Sequence, residues 1–316
     1  MNLSVVICTH NPREDYLRRV LDALKSQTLP KEQWELLVVD NASKPPLSGT
    51  LDLSWHAQSR VVSEPELGIL PGRVRGLKES RAPLILFVDD DNVLAPDYLE
   101  QALAIGKTHP FLGVWGGSIR PEFETPPPPW IDSVRCLLAW VEVPEDQWSN
   151  WKFNWETLPP TAGMCLRRAV ADAFIGLVES DPRRQLLGRR GKTGLTNGED
   201  TDLALTACDI GLGTGQFTRL KMTHLIPASR MDEDYLIRLA EGTYFTVMIL
   251  NALRGRPPAA SPSNPLRLVL GWVRLQLFSK RLERALDAAY QRGLKRAREV
   301  VAAWNTTDDS KINDKE

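Results

Sequence analysis

Three consecutive aspartates, Asp89, Asp90 and Asp91, follow the apolar run LILFV at residues 84–88. A buried strand seldom runs straight into three adjacent negative charges, so the arrangement asks for something positive opposite them. Alternate side chains of an extended strand point the same way. If the strand persists that far, Asp89 and Asp91 share one side and Asp90 faces the other. Two carboxylates on one side repel unless they are protonated or bridged. Oxygen ligands suit hard cations such as Mg²⁺ or Mn²⁺, and Mg²⁺ commonly takes one or two carboxylates plus substrate phosphates. The run therefore reads either as half of a metal–diphosphate site or as an acidic cluster that caps the next helix or sits in solvent.

A second acidic cluster, Glu199, Asp200 and Asp202, lies in NGEDTDL. A carboxylate there could take a proton from a hydroxyl, although acids in a first helical turn are favoured by the helix dipole anyway. His224, in LKMTHLI, is a lone histidine, a type that is more often structural than a metal ligand.

The elements that must position these groups alternate. LSVVIC (3–8) is a short β-branched strand, and Asn11–Pro12 is a helix start signal with Asn as cap and Pro at the first helical position. WELLVVD (34–40) is a second buried strand and RVVS (60–63) a weaker third. Residues 72–80 are helical, LILFVDD is the fourth strand, 98–107 a helix and FLGVWGG a fifth strand. Strands apolar on both faces alternating with helices indicate an α/β fold whose central sheet is mainly parallel and flanked by helices. In such sheets ligands bind beyond the carboxyl ends of the strands. Those ends carry Thr9–Asn11, Asp40–Ser43 and Asp89–Asn92.

With 316 residues, 25% charged residues and a net charge of −1, the chain has material for a large core and no global charge directing it to nucleic acid. Cys8, Cys136, Cys165 and Cys208 are far apart and show no paired ligand spacing, which fits reduced, mostly buried thiols. The N-terminus has no basic leader, and no apolar run reaches about 18 residues. The expectation is a soluble, intracellular chain. GLGTG (211–215) follows a helix rather than a strand, so it lacks the context of a dinucleotide-binding loop.

Taken in order, VVICTHN, LLVVDNAS, EPELGILPGRVRGL, LILFVDDDN, PPTAGMCLRR and NGEDTDLALTACDIG resemble the family 2 inverting glycosyltransferases over roughly residues 3–230. The resemblance implies a GT-A nucleotide-diphospho-sugar transferase fold. Thr9, His10 and Asn11 would line the nucleotide pocket and Asp40 would hydrogen-bond the base. Arg73 would sit near base or diphosphate, although Pro71-Gly72 and Val74 depart from the usual pattern around it. Asp89 would contact the ribose, Asp90 would serve the donor or the metal, and Asp91 would bind Mn²⁺ or Mg²⁺ with His224. Asp200 would be the base, with Glu199 its competitor and Asp202 structural.

The reading gives a donor-binding half at about 1–120 and an acceptor-side half at about 121–230. A helical C-terminal extension follows over 231–305, then a disordered tail over 306–316. Six of the ten tryptophans fall between Trp115 and Trp155. Most are expected to fill a small accessory core, with Trp130, after four prolines, exposed. Gly163 and Met164, in the AGMC loop, and Trp130, whose aromatic face could stack on a sugar ring, are the acceptor-side candidates. Residues 266–304 hold nine Lys or Arg against three acids. Such a stretch suits peripheral binding at the inner face of the plasma membrane, ordinary packing on the core, or a homodimer contact.

The expected partners are a UDP-, dTDP- or GDP-linked sugar donor and a saccharide or lipid-linked acceptor in the cytoplasm. The QxxRW pattern of processive synthases is missing after His224, which argues for non-processive transfer. Two rival readings remain. A nucleotidyltransferase making sugar nucleotides should carry a Gly-rich basic loop where this chain has CTHNPRED. A non-catalytic sugar-nucleotide-binding homologue has no need of both acidic clusters.

Overall fold

The computed structural model describes residues 1–190, 195–256 and 281–313, the side chains of 305–313 excepted. The chain forms two compact units. The first comprises Met1–Pro182 and Glu199–Ala228, and the second Arg183–Gly198 and Ser229–Glu316.

The first unit is built on one nine-stranded sheet. Its strands are β1 (Leu3–Thr9), β2 (Trp34–Asn41), β3 (Ser59–Glu64), β4 (Leu84–Phe87), β5 (Asn92–Leu94), β6 (Leu112–Phe123), β7 (Gln147–Ser149), β8 (Cys165–Arg167) and β9 (Gly213–Ile226). The order is β3-β2-β1-β4-β8-β6-β9-β5, with β7 paired to β9. Strands β3, β2, β1 and β4 are mutually parallel, and β6 is parallel to β9. The short strands β5, β7 and β8 pair antiparallel with their neighbours. The parallel half is the one that the alternation of apolar runs predicted.

Period-two alternation divides the core into two layers. Val5, Ile7, Leu36, Val38 and Leu86 face helices α1 (Glu14–Lys25) and α3 (Tyr98–Thr108). Val6, Leu37, Val39, Ile85 and Phe87 face α2 (Ile69–Glu79), α4 (Arg168–Ser180) and α5 (Glu199–Asp209). Burying each such aliphatic side chain contributes about 1.5–3 kcal/mol. Adjacent arginines at the β8–α4 junction finish two of these helices. Arg167 donates to the carbonyls of Gly106 and His109 at the end of α3, while Arg168 donates to Leu77, Ser80 and Ala82 at the end of α2. Cations at helix C-termini satisfy carbonyls that have no partner within the helix.

Three sequence expectations need correcting here. Helix α1 begins at Glu14 with Arg13 as its cap residue, so Asn11 is not the N-cap. Instead Asn11 has φ +49°, its N–H donates to Ser43 Oγ, and its Oδ1 accepts from the Lys44 N–H. Tertiary bonds across the loop override the local Asn-Pro signal. All four cysteines are free, but only Cys165 is fully buried and Cys136 is exposed. Strand β4 ends at Phe87 rather than running into the aspartates.

The second unit contains α6 (Glu233–Leu253) and α7 (Arg281–Asn313), which approach closely where Gly293 lies against the Glu241 carbonyl. Arg292 pairs with Glu241 at 2.6 Å, and Tyr244 packs edge-on against Tyr290. By length and composition α6 could cross a membrane, and 44% of its apolar window is buried within the protein. Of the basic stretch 266–304, residues 266–280 lie outside the described residues, while Leu282, Ala289, Ala297 and Val301 on α7 are buried. Helix α7 continues to Asn313, into the span where the sequence suggested a disordered tail, and 314–316 lie outside the description.

A β-bulge decides where β9 ends up. Gly117 of β6 pairs with Phe217, but the next residue, Ser118, pairs with Lys221. The shifted register carries β9 forward so that His224 stands opposite Asn92 of β5. A Cβ on Gly117 would meet the Leu220 carbonyl oxygen at 2.2 Å, a clash with backbone that cannot relax by a rotamer change. Gly117→Ala should therefore lower the unfolding free energy by about 1–3 kcal/mol, measured by urea denaturation. An unchanged midpoint would show that the bulge tolerates a side chain.

Candidate active site

The polar groups singled out in the sequence meet beyond the carboxyl ends of β1, β2 and β4. After Phe87 the chain turns. Asn92 N–H donates to the Asp89 carbonyl at 3.1 Å, and Asp89 N–H is 3.3 Å from Asn92 Oδ1. Because residues 89–92 form a turn, the strand alternation expected for Asp89 and Asp91 does not apply. The turn sends each carboxylate to a different partner. Asp89 faces Arg73 Nη2 at 3.7 Å, Asp90 accepts from the Thr9 hydroxyl, and Asp91 Oδ2 lies 3.5 Å from His224 Nε2.

His224 is buried, and its Nδ1 is 3.0 Å from the Leu138 carbonyl. A carbonyl can only accept, so Nδ1 carries a proton and Nε2 is the nitrogen turned to Asp91, where its lone pair can serve as a metal ligand. Metal-binding histidines are commonly oriented by such a backbone bond. A lone pair and a carboxylate oxygen 3.5 Å apart can share one divalent ion. Asp91 and His224 thus fit a metal as two protein ligands, leaving other positions for water or phosphate. Among the described residues no group of three or more His, Cys, Asp or Glu could enclose a metal by itself.

Arg73, on α2, is buried. Its Nη1 donates to Glu199 Oε1 and its Nη2 faces Asp89. Burial works against the guanidinium's charge, but Glu199, Asp89 and Asp200 around it raise its pKa overall. The residue expected near base or diphosphate is therefore engaged by the chain's own carboxylates. Asp200, half-buried in the first turn of α5, accepts from the Thr201 N–H at 2.6 Å and from its hydroxyl at 3.3 Å, both through Oδ1. Burial raises the Asp200 pKa above the ordinary carboxylate value, against the opposing pull of Arg73 and of the Thr201 bonds. A carboxylate with one oxygen held and a raised pKa suits proton acceptance. Asp202 is fully buried.

On the first loop, His10 Nδ1 is 2.7 Å from the Asn41 carbonyl, and its Nε2 lies 3.0 Å from Asn11 Nδ2. Asp40 is buried and holds the following loop, accepting the Ser43 N–H through Oδ1 and the Leu47 N–H through Oδ2. Asn41, which the sequence did not single out, ties this loop to the one before α2: its Nδ2 donates to the Glu64 and Glu66 carbonyls, and its Oδ1 accepts from Gly68. Asn92 was named only as part of a polar strand end, with no role, and the Leu138 carbonyl was missed. The DNAS and DDDN strings marked the two asparagines, but nothing in the sequence marked a carbonyl.

The acceptor-side candidates divide. Gly163 has φ +74°, its carbonyl accepts from the Tyr98 hydroxyl, and an added Cβ would stand 2.5 Å from that oxygen, so only glycine fits. Met164 is a correction: its side chain is fully buried in the layer with Phe87 and Leu166. Trp130 is only half-buried. Among the described residues the exposed tryptophans are Trp148 (54%), Trp151 (79%) and Trp155 (51%). Trp148 pairs with Gly215 near the start of β9, nine residues before His224. That places it at the far end of the strand from the carboxylates.

The model of glycosyl transferase family 2 matches residues 4–174. The chain belongs to glycosyl transferase family 2. Its fold is the GT-A fold. The poly(ribitol-phosphate) beta-N-acetylglucosaminyltransferase TarS of Staphylococcus aureus is 30% identical over 112 residues, which span 34% of this chain and 19% of that protein's length. Two solved structures share the fold. A mannosyltransferase from Pyrobaculum calidifontis, in complex with GDP-Man and Mn²⁺, has a TM-score of 0.54 and 18% identity over 98% of this chain and 79% of that one. The S. aureus TarS fragment 1–349, in complex with UDP-GlcNAc, has a TM-score of 0.50 and 17% identity over 97% and 92%.

The raised pKa of Asp200 in this family 2 member has a consequence for stability. The folded protein holds that proton more tightly than the unfolded chain does. The favourable contribution is therefore complete below the unfolded pKa of about 3.9 and is lost as pH rises through the folded value. Asp200→Asn should melt at a higher temperature than the wild type at pH 7.5, with the gap closing towards pH 4. A variant less stable than the wild type at pH 7.5 would contradict this.

Proposed function

We propose that this glycosyltransferase moves a sugar from a nucleotide-diphosphate donor to a hydroxyl of a saccharide or lipid-linked acceptor, non-processively, with inversion and with a divalent metal. The observation that carries the reading is the pairing of two chemically different acidic centres in one compact unit. Asp91 with His224 makes a half-site for a hard cation, and Asp200 is a half-buried carboxylate with one oxygen held by Thr201. The complexes of the two structural relatives with UDP-GlcNAc and with GDP-Man and Mn²⁺ support a nucleotide-sugar donor.

Asp200 takes the proton of the acceptor hydroxyl as its oxygen bonds to the anomeric carbon. The bond from that carbon to the diphosphate oxygen breaks, and its electron pair leaves with the nucleoside diphosphate. Displacement from the opposite face inverts the anomeric centre. Mn²⁺ or Mg²⁺ bound by Asp91 and His224 would neutralise charge on the departing diphosphate. Asp89 and the Thr9–Asp90 pair serve the ribose side, and the loop held by Asp40 and Asn41 shapes the base pocket. Gly163 borders the acceptor side. The protein acts in the cytoplasm, and the basic stretch 266–304 supplies a peripheral contact with anionic lipid.

A thermal-shift panel of UDP-GlcNAc, UDP-glucose, dTDP-glucose and GDP-mannose, each with and without Mn²⁺, tests the reading. One donor should raise the melting temperature, and more so with Mn²⁺. Asp91→Asn should lose the Mn²⁺ increment. Asp200→Asn should keep the donor shift while turnover falls by about 10²–10⁴-fold. Full turnover in EDTA would overturn the metal, and normal turnover of Asp200→Asn would overturn the base.

A further inference from the structure

Arg73 is the side chain whose position the reaction outlined above does not explain. A buried guanidinium is an unusual donor contact when its own chain already occupies it. Its Nη1 is bonded to Glu199 Oε1, its Nη2 faces Asp89 Oδ1 at 3.7 Å, and its side chain is 5% exposed against 4% for Glu199. The titratable groups around it come from three further elements: Glu199 and Asp200 from α5, Asp89 from the turn after β4, and Cys8 from β1. Burial pushes the Cys8 thiol up to about 12, so it is neutral at working pH and adds no charge.

The connectivity shows what the guanidinium does. Glu199 opens α5 and is the residue immediately before Asp200. Asp89 opens the turn that carries Asp91. One planar fork thus joins the first turn of the helix bearing the base to the turn bearing the metal-side carboxylate. The two lie 110 residues apart in sequence, and no strand pairing joins Glu199–Asp209 directly to residues 89–91. Phe87, at the end of β4, lies 6.0 Å from the guanidinium. Gly72 and Gly76 flank the arginine on α2. A Cβ on Gly76 would meet Val6 Cγ1 at 2.5 Å, so the helix is pressed onto the sheet just where Arg73 leaves it. The arginine's backbone is fixed, and its reach to both carboxylates follows.

We infer that Arg73 is a positioning residue: through its fork on Glu199 and Asp89 it sets the placement of Asp200 relative to the Asp91 side of the site, without touching the donor. The inference rests on the reading of Asp200 as base and adds a function for Glu199, which is the anchor rather than a second base. Lysine cannot substitute, because an ammonium is a point donor and cannot hold two carboxylates in a fixed plane.

The test compares Arg73→Lys, Arg73→Met and Asp200→Asn in the full chain. The probe is UDP-GlcNAc or GDP-mannose, whichever shifts the wild-type melting point with Mn²⁺, and turnover is read as nucleoside diphosphate released with water as acceptor. Both arginine variants should keep donor affinity within about threefold, since a lost charged hydrogen bond to the donor would cost more than that. Turnover at saturating donor should fall by about 10²-fold in Arg73→Met, the scale of a roughly 1 Å misplacement, and less in Arg73→Lys. If Arg73→Met does not fold, Arg73→Lys, which keeps a buried cation, carries the comparison. Loss of donor affinity with turnover retained at saturation would make Arg73 a donor contact and overturn the inference. Wild-type turnover in Arg73→Lys and Arg73→Met, with Asp200→Asn inactive, would overturn the inference and leave the base intact. Wild-type turnover in Asp200→Asn would remove the base reading itself.

Discussion

Everything in the site depends on how the fold offsets a concentration of carboxylates at the carboxyl ends of its parallel strands. Asp89, Asp90, Asp91, Glu199 and Asp200 converge there, and self-repulsion alone would disperse them. The buried guanidinium of Arg73 takes Glu199 and Asp89, a hydroxyl takes Asp90, and His224 faces Asp91. Asp200 is held by its neighbour's N–H and hydroxyl. Asp89 and Glu199 share one guanidinium, Asp90 and Asp200 have hydrogen-bond donors of their own, and Asp91 faces an imidazole nitrogen, so their environments differ. One type of side chain can then do several different jobs. Removing one member of a buried ion pair typically costs about 3–5 kcal/mol because the other is left uncompensated. The pairing is therefore a constraint on the fold as well as on the chemistry.

The parallel half of the sheet supplies these ends and the two core layers hold it rigid. The antiparallel half supplies His224. It does so through the bulge at Gly117 and the pairing of β9 with the three-residue strand β5, which sets His224 opposite Asn92. The Trp-rich excursion also contributes, though not with an aromatic ring: the Leu138 carbonyl fixes the histidine's tautomer. Site geometry here is a product of register, and a one-residue slip in β9 would turn the imidazole away.

Much of this could be read from the residues. Short apolar runs ending in polar groups marked the parallel strands, and the acidic first turn of α5 falls where the sequence placed it. The sequence misled where local signals competed with tertiary ones. Asn11–Pro12 has the form of a helix start, but Asn11 is drawn into a left-handed conformation by Ser43 and Lys44. The aspartate run has the form of a strand end, but Asn92 closes a turn and separates its members. Met164 was placed by its loop, AGMC, and Trp130 by the four prolines before it. Exposure is decided by elements far away in sequence: Met164 is fully buried and Trp130 half-buried, whereas Trp148, Trp151 and Trp155 are exposed. Strands of three residues, such as β5, β7 and β8, carry too little periodicity to be seen before their partners are known.

The division of the acidic groups puts a cation between Asp91 and His224 while Arg73 stays on Glu199. A crystal grown with Mn²⁺ and UDP, with anomalous scattering recorded near the manganese edge, tests that division most directly. One manganese peak should lie within coordination distance of Asp91 and His224 Nε2, with the Arg73 guanidinium still bonded to Glu199. A peak at Asp89 or Asp200 instead, or a guanidinium swung onto the diphosphate, would contradict it.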